Sequence, residues 1–126
     1  MNKGLKVLVV EDDANIALAL TVLLRRAFSP VVVNCVSDGQ QAKVSLCESE
    51  YELIISDWNM PFMTGLELLS FVRASPKIRR IPFLMLTART DVNDYSELSN
   101  VDITVCIGKP FDTDEFIGKI KQLLRH

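Results

Sequence analysis

The stretch from Leu53 to Pro61 constrains the fold more than any other part of the chain. It reads LIISDWNMP, so four apolar or small residues lead directly to Asp57, and a proline follows four residues later. A short apolar run that is stopped by a turn signal predicts a strand buried on both faces, as in a parallel sheet. Asp57 then lies at the carboxyl end of that strand, where open α/β sheets bind their ligands.

The rest of the chain alternates short apolar runs with helical patterns. The apolar runs predict strands over residues 5–10, 31–36, 53–57, 81–86 and 103–107. Apolar residues at helical spacing predict helices over about 16–27, 40–47, 66–72, 91–99 and 116–124. Asp112 and Glu115 have the spacing of a capping box before the last helix. Five β-α repeats without a long linker predict a doubly wound α/β fold, with a parallel sheet covered by helices on both faces.

Composition excludes several classes of protein. The 126 residues, 48% of them apolar, predict a single domain over residues 1–126, and the net charge of −2 gives no basic surface for direct binding of nucleic acid. No apolar run approaches the ~20 residues that cross a bilayer, and the N-terminus has no signal-peptide pattern. The three cysteines are an odd number without metal-ligand spacing. We therefore expect reduced thiols and a cytoplasmic location.

Polar residues stand at or just beyond the ends of four predicted strands. They are Glu11 and Asp12 after the first strand, Asp57 at the end of the third, Thr87 after the fourth, where Ala88 follows it, and Lys109 after the fifth. Because the carboxyl ends of parallel strands share one edge of a sheet, these residues are expected to form one site.

The chemistry of such a site is that of phosphoryl transfer. Clustered carboxylates repel one another unless a cation joins them, and oxygen ligands without His or Cys suit a hard ion such as Mg²⁺. Asp57 lies centrally and would be the nucleophile that accepts the phosphoryl group. Mg²⁺ on Glu11, Asp12 and Asp57 would neutralise one side of that group. Lys109 would hold a second oxygen, and the Thr87 hydroxyl with a main-chain N–H near Ala88 would hold a third.

Each of these residues also has an ordinary structural explanation when it is taken alone. Acidic residues such as Glu11, Asp12 and Asp13 are favoured at helix starts by the macrodipole, and Asp13 is expected to serve only that purpose. Asp57 could form a turn, and Lys109 could be a solvated surface charge. Their coincidence at one sheet edge favours a shared site over these separate explanations.

Four motifs resemble those of the receiver domains of bacterial two-component response regulators, which are CheY-like, and the resemblance covers essentially the whole chain. The matching segments are Val9-Val10-Glu11-Asp12, Ser56-Asp57-Trp58-Asn59-Met60-Pro61 followed by Met63-Thr64-Gly65, Leu86-Thr87-Ala88, and Lys109-Pro110-Phe111. Any one of these motifs is weak evidence of membership. Four in order at the right spacing are specific.

The resemblance implies a particular topology and chemistry. It implies a five-stranded sheet in the order 2-1-3-4-5 with five helices, and phosphorylation of Asp57 by a sensor histidine kinase, a phosphotransfer protein or a small phosphodonor. It also implies Mg²⁺ bound through Asp12, Asp57 and the main-chain carbonyl of Asn59, with Glu11 acting through water, and a cis bond before Pro110. Such a domain is a phosphoacceptor that catalyses only its own phosphotransfer and dephosphorylation.

In the family, phosphorylation draws the residue equivalent to Thr87 toward the phosphoryl group, and an aromatic side chain three residues before the lysine rotates inward. Here that position is Cys106, and the Gly-Ala pair common before the fifth strand is replaced by Asp102-Ile103. We therefore expect intact chemistry with an altered relay, in which Tyr95 could take part. The output surface implied by the family comprises the predicted helix 91–99, the fifth strand and the last helix, and it serves homodimers or a downstream effector.

Asn59 and Arg89 stand two residues after Asp57 and Thr87, where water would attack an acyl phosphate. In the family these positions tune the lifetime of the phosphorylated state, although Arg89 is equally well explained as an exposed loop charge. The chain could be a stand-alone regulator or a receiver cut from a longer regulator or hybrid kinase, and its end inside an apolar helix pattern slightly favours the second.

Two other functions would use a similar set of residues. A phosphatase of the haloacid-dehalogenase type needs a second Asp two residues after the nucleophile as a general acid, and Asn59 cannot supply that proton. A pseudo-receiver that never accepts phosphate is disfavoured by the five acidic, hydroxyl and basic side chains of the site. Cys106 keeps this second alternative open for the output step.

Overall fold

The computed structural model describes residues 4–88 and 103–125. Its strands are β1 (Leu5–Val10), β2 (Val31–Val36), β3 (Leu53–Asp57), β4 (Phe83–Ala88) and β5 (Thr104–Lys109). Its helices are α1 (Ala14–Ala27), α2 (Gly39–Glu48), α3 (Gly65–Ala74) and, renumbered here in chain order, α4 (Thr113–Leu124). Four of the five predicted helices are thus present in the described ranges. The predicted helix 91–99, with Tyr95, and the tuning position Arg89 lie outside the described residues.

The strands form one parallel sheet in the order β2-β1-β3-β4-β5, which confirms the predicted α/β fold. The central strand β3 is buried along its whole length. One apolar cluster packs α2 and α3 against one face of the sheet, and a second packs α1 and α4 against the other. The longest described helix has 14 residues, short of the ~20 needed to cross a bilayer.

Helix starts are fixed by side-chain caps. Asp13 accepts hydrogen bonds from the backbone N–H groups of Asn15 and Ile16 at the start of α1, and Asp112 accepts one from Glu115 at the start of α4. The described capping box, with bonds in both directions, opens α3 instead, between Thr64 and Glu67. Each cap satisfies backbone donors that the helix itself leaves without a partner.

The predicted limits of the last two strands were wrong by one or two residues. β4 begins after Pro82 because proline has no N–H to donate to a neighbouring strand. β5 begins after Ile103, whose φ of 50° departs from extended geometry. Both strands continue beyond their apolar runs, since Ala88 is in register with Lys109. The Lys109-Pro110 bond is cis, as the resemblance implied, and so is Ser29-Pro30.

Candidate functional site

The carboxyl edge of the sheet brings together three acidic residues and one lysine. One carboxylate oxygen from each of Glu11, Asp12 and Asp57 lies within 4.8 Å of the others. The Lys109 ammonium donates a hydrogen bond to Asp57 Oδ1 at 3.0 Å and lies 3.6 Å from Glu11 Oε1. Residues at the end of β3, at the end of β5 and just after β1, which are far apart in sequence, therefore form one charged cluster with a formal excess of negative charge.

Glu11 is held by the backbone at the end of β1. Its N–H donates to the Val36 carbonyl at 2.9 Å, which continues the pairing of β1 with β2 for one more residue. Its side chain is 2% exposed, and Oε2 accepts a hydrogen bond from the Asp13 N–H at 3.2 Å. Asp13 itself turns away to cap α1. Asp13 thus stands at a helix start, as expected, and its backbone N–H also supports Glu11.

Asp57 is fixed by backbone contacts on either side of the loop that follows it. The Trp58 N–H donates to the Leu86 carbonyl at 2.7 Å, and the Gly65 N–H donates to the Trp58 carbonyl at 2.7 Å. A Cβ at position 65 would lie 2.5 Å from the Asp57 carbonyl oxygen and 2.5 Å from Met85 Sδ. Only glycine allows α3 to approach the site this closely.

The loop between β3 and α3 contains an exposed aromatic residue with unusual backbone geometry. The Met63 N–H donates to the Pro61 carbonyl at 2.8 Å, which closes a γ-turn around Phe62. Phe62 has a φ of 71° and is 86% exposed. Asn59, earlier in the same loop, is also exposed.

The electrostatic environment of Glu11 disfavours its charge. Burial raises the pKa of the Glu11 carboxyl above its ordinary value of 4.5, and the neighbouring Asp57 carboxylate raises it further. The Asp13 N–H and the Lys109 ammonium act in the opposite direction but do not outweigh burial. Among the described residues, Oε1 of Glu11 is buried without a hydrogen-bond partner.

This donor set fits a hard divalent cation. Three carboxylates face one ammonium, and one buried carboxylate oxygen lacks a hydrogen-bond donor. Asp12 is exposed, so a cation there could keep several water ligands, as Mg²⁺ prefers. Oxygen-only ligands select Mg²⁺ over softer metals.

The remaining predicted residues lie at the same edge or just below it. Thr87 is buried in β4 and is in register with Gly108, the residue before Lys109. Ala88 is the last residue of β4. Cys106 lies in β5 opposite Met85, partly buried against the apolar cluster under α2 and α3. All three cysteines are thiols, as expected.

Sequence reasoning named Thr64 and Gly65 only as part of a motif that resembles the family, and it did not predict that Thr64, Gly65 and Glu67 place α3 against the site. The spacing Thr-x-x-Glu was the available signal, because it is that of a capping box before an apolar run. The close approach at Gly65 had no local signal, since it depends on where β4 and the end of β3 lie.

Comparison with known proteins gives one consistent family. The family model described as response regulator receiver domain matches residues 7–121. The chain is 31% identical over 123 residues to chemotaxis protein CheY-3 of Vibrio cholerae, with 98% of this chain and 94% of that protein covered. It is 34% identical over 122 residues to the phosphate regulon transcriptional regulatory protein PhoB of Rhizobium meliloti. That match covers 95% of this chain and 52% of PhoB, so the chain spans about half of the length of that regulator.

A solved structure agrees with the fold. The receiver domain of sensor histidine kinase PA1611 from Pseudomonas aeruginosa superposes with a TM-score of 0.84 at 26% identity. The superposition covers 98% of this chain and 99% of that domain, which is described with a magnesium ion coordinated in its active site cleft.

Proposed function

This chain belongs to the family of response regulator receiver domains of two-component signalling, and we propose that Asp57 is its phosphoacceptor. The phosphodonor would be the phosphohistidine of a sensor histidine kinase or of a phosphotransfer protein. The observation that supports this proposal best is the contact of one lysine with two of three clustered acids. Lys109 lies 3.0 Å from Asp57 and 3.6 Å from Glu11.

The proposed reaction is an in-line displacement at phosphorus. An Asp57 carboxylate oxygen attacks, a new O–P bond forms, the N–P bond to the donor histidine breaks, and the imidazole leaves with the bonding electron pair. Protein catalysis of such a step consists mainly of positioning and of stabilising charge on the equatorial oxygens. Asp57 is suited to this role because it is paired with β4, the next residue Trp58 is held by two backbone hydrogen bonds, and its side chain remains 11% exposed, open to a donor.

Lys109 would hold one phosphoryl oxygen as a point charge, from the position where it now contacts Asp57. The Thr87 hydroxyl and a main-chain N–H near Ala88 would donate hydrogen bonds to another phosphoryl oxygen. A magnesium ion would be held by Asp12, Asp57 and the carbonyl of Asn59, with Glu11 acting through water. When bound, it would supply positive charge to the transferring group. The magnesium described in the PA1611 receiver domain supports this part of the proposal.

For the output step, we propose an altered relay. Cys106 replaces the aromatic residue usual in the family. Rotation of a cysteine side chain between an exposed and a buried position would change the surface much less than rotation of an aromatic ring. Thr87 and Tyr95 would then carry the switch to a surface around residues 91–99, β5 and α4, which would bind a downstream effector or a second copy. Asn59 and Arg89 would tune the lifetime of the phosphorylated state. The proposal includes one domain over residues 1–126 and a cytoplasmic setting.

The tryptophan next to the phosphoacceptor provides the test. Trp58 is the single tryptophan of the chain, follows Asp57 directly and is 9% exposed. We expect its fluorescence to change when MgCl₂ is added, and to change again when acetyl phosphate follows. The Asp57→Asn variant should lose the second response. A wild-type protein that responds to neither addition would contradict the proposal.

A further inference from the structure

The strand β2 leaves one edge of the sheet open. It is the end strand of the sheet, and its sequence VVVNCV contains no charged residue, no proline and no glycine. Natural edge strands are usually protected from pairing by lysines, prolines, bulges or short length. β2 has none of the first three and is six residues long.

Hydrogen bonds to β1 show which backbone groups face the open edge. The carbonyls of Pro30 and Val36 accept hydrogen bonds from Leu5 and Glu11, so the even-numbered residues direct their polar groups toward β1. Consecutive residues of a strand alternate in this direction. Val31, Val33 and Cys35 therefore direct their N–H and C=O groups outward, where the described part of the chain places no strand.

We propose that this edge pairs with β2 of a second copy of the chain, antiparallel, about a twofold axis at Val33. In that register Val31 lies opposite Cys35 of the second copy and Val33 lies opposite its own equivalent. Each such pair exchanges two hydrogen bonds, so the strand pair would form about six. A register centred on Asn34 would place Val31 opposite Ser37 of the second copy. Because Ser37 lies outside β2, that register would form fewer hydrogen bonds within the strands.

The partner is a second copy because the outward-facing groups are arranged symmetrically about Val33. A strand of this kind is complementary to itself, as a twofold interface requires. The absence of charge within β2 also means that no like charges within the strands meet across the axis. Asp57 lies at the carboxyl end of β3, two strands away, so the pairing would leave the proposed phosphorylation site open.

Exposed apolar side chains on the elements next to this edge support the same conclusion. Six large apolar side chains are exposed among the described residues, and four of them belong to α1, β2 and α2: Leu18, Val22, Val32 and Val44. α1 contacts β2 on one face, where Thr21 Oγ1 lies 3.4 Å from Cys35 Sγ. On the other face, Asn34 of β2 and Ser45 of α2 both bond to the Tyr51 hydroxyl. A second copy at the edge would cover part of this apolar surface.

The oligomeric state of the full chain tests the proposal. We expect sedimentation velocity to show a concentration-dependent dimer, without any phosphodonor. Val32→Lys should weaken the dimer by at least about tenfold, because Val32 is 51% exposed and its replacement would bring charge to the joined strands. Leu66→Lys, at an exposed apolar position on α3, is the matched control and should leave the dimer unchanged.

Disulfide trapping tests the register. In a Cys35→Ser, Cys47→Ser background, Val33→Cys should form a covalent dimer under mild oxidation, because directly opposed residues have Cα atoms about 5.5 Å apart, within disulfide range. Asn34→Cys should trap far less. Circular dichroism of each variant checks that it is folded. A wild-type monomer at every soluble concentration would overturn the proposal, as would a dimer that neither Val32→Lys weakens nor Val33→Cys traps.

Discussion

Replacing Glu11 with glutamine should stabilise the protein at neutral pH in the absence of divalent cations. The substitution keeps the shape of the side chain and an oxygen that can accept the Asp13 N–H, but it removes the negative charge. Glu11 is 2% exposed, and burial opposes its ionised form. The prediction therefore depends on whether neighbouring charges compensate for burial.

Coulomb's law indicates that they do not. At an effective dielectric constant of about 20, the attraction between Glu11 and Lys109 across 3.6 Å is about 4.6 kcal/mol. The Asp57 carboxylate, within 4.8 Å, repels Glu11 by at least about 3.5 kcal/mol on the same scale, and Asp12 adds a solvent-screened repulsion. Attraction and repulsion nearly cancel, so burial decides the sign. A buried polar group without its hydrogen bonds typically costs about 1–3 kcal/mol and a charged group costs more, so we expect Glu11→Gln to recover at least about 1 kcal/mol.

The pH dependence follows from the raised pKa of Glu11. An acid whose pKa is higher in the folded state binds its proton more tightly there, so stability is greatest below the unfolded pKa and falls as pH rises through the folded one. The advantage of Glu11→Gln should therefore be present at pH 7.5 and shrink toward pH 4.5, the ordinary value for this carboxyl.

Urea unfolding in EDTA at these two pH values measures the effect, with the exposed substitution Glu50→Gln as control. Saturating MgCl₂ should stabilise wild type more than Glu11→Gln. If Glu11→Gln is less stable than wild type at pH 7.5 in EDTA, the electrostatic reasoning is refuted.

Three further predictions concern other parts of the molecule. Phe62→Asn should stabilise the fold by about 1 kcal/mol, because Phe62 has a φ of 71° and little packing to lose, whereas Phe62→Val should not; equal unfolding midpoints would contradict this. Arg73 donates to the carbonyls of Arg79, Ile81 and Ile103 and to the Thr104 hydroxyl, so Arg73→Ala should cost about 3 kcal/mol by urea unfolding, and a loss below about 1 kcal/mol would argue against this role. Cys106→Tyr should change how phosphorylation alters binding of an effector, measured by titration with and without acetyl phosphate; a response identical to that of wild type would exclude Cys106 as the altered relay.

The sequence was sufficient to predict the first three strands because each is a short apolar run bounded by polar or turn-forming residues. The last two strands could not be delimited in the same way. Their ends depend on pairing of Thr87 and Ala88 with Gly108 and Lys109, which apolar patterning does not reveal. The spacing of a capping box occurs at the start of both α3 and α4, but hydrogen bonds in both directions are described only at Thr64 and Glu67. The bond from the glutamate side chain back to the capping residue depends on side-chain conformation, which the sequence does not reveal.

The candidate site was predictable in membership but not in energetics. Strand ends identified Glu11, Asp12, Asp57 and Lys109, and the structure places them within one cluster. The burial of Glu11 could not be predicted, because it depends on the packing of three strands around one carboxylate. The hydrogen bonds from Arg73 to distant backbone carbonyls could not be predicted either. Nothing in the sequence around Arg73 distinguishes it from an arginine that is simply exposed near a helix end.

The most direct test of the central claim is the intact mass of the protein after incubation with acetyl phosphate. Wild type with Mg²⁺ should gain the mass of one phosphoryl group, and the gain should be lost in EDTA and in Asp57→Asn. A single gain in wild type that survives in Asp57→Asn would place the modification elsewhere. The absence of any gain, with acetyl phosphate and then with a phosphorylated histidine kinase as donor, would contradict the assignment of Asp57 as phosphoacceptor.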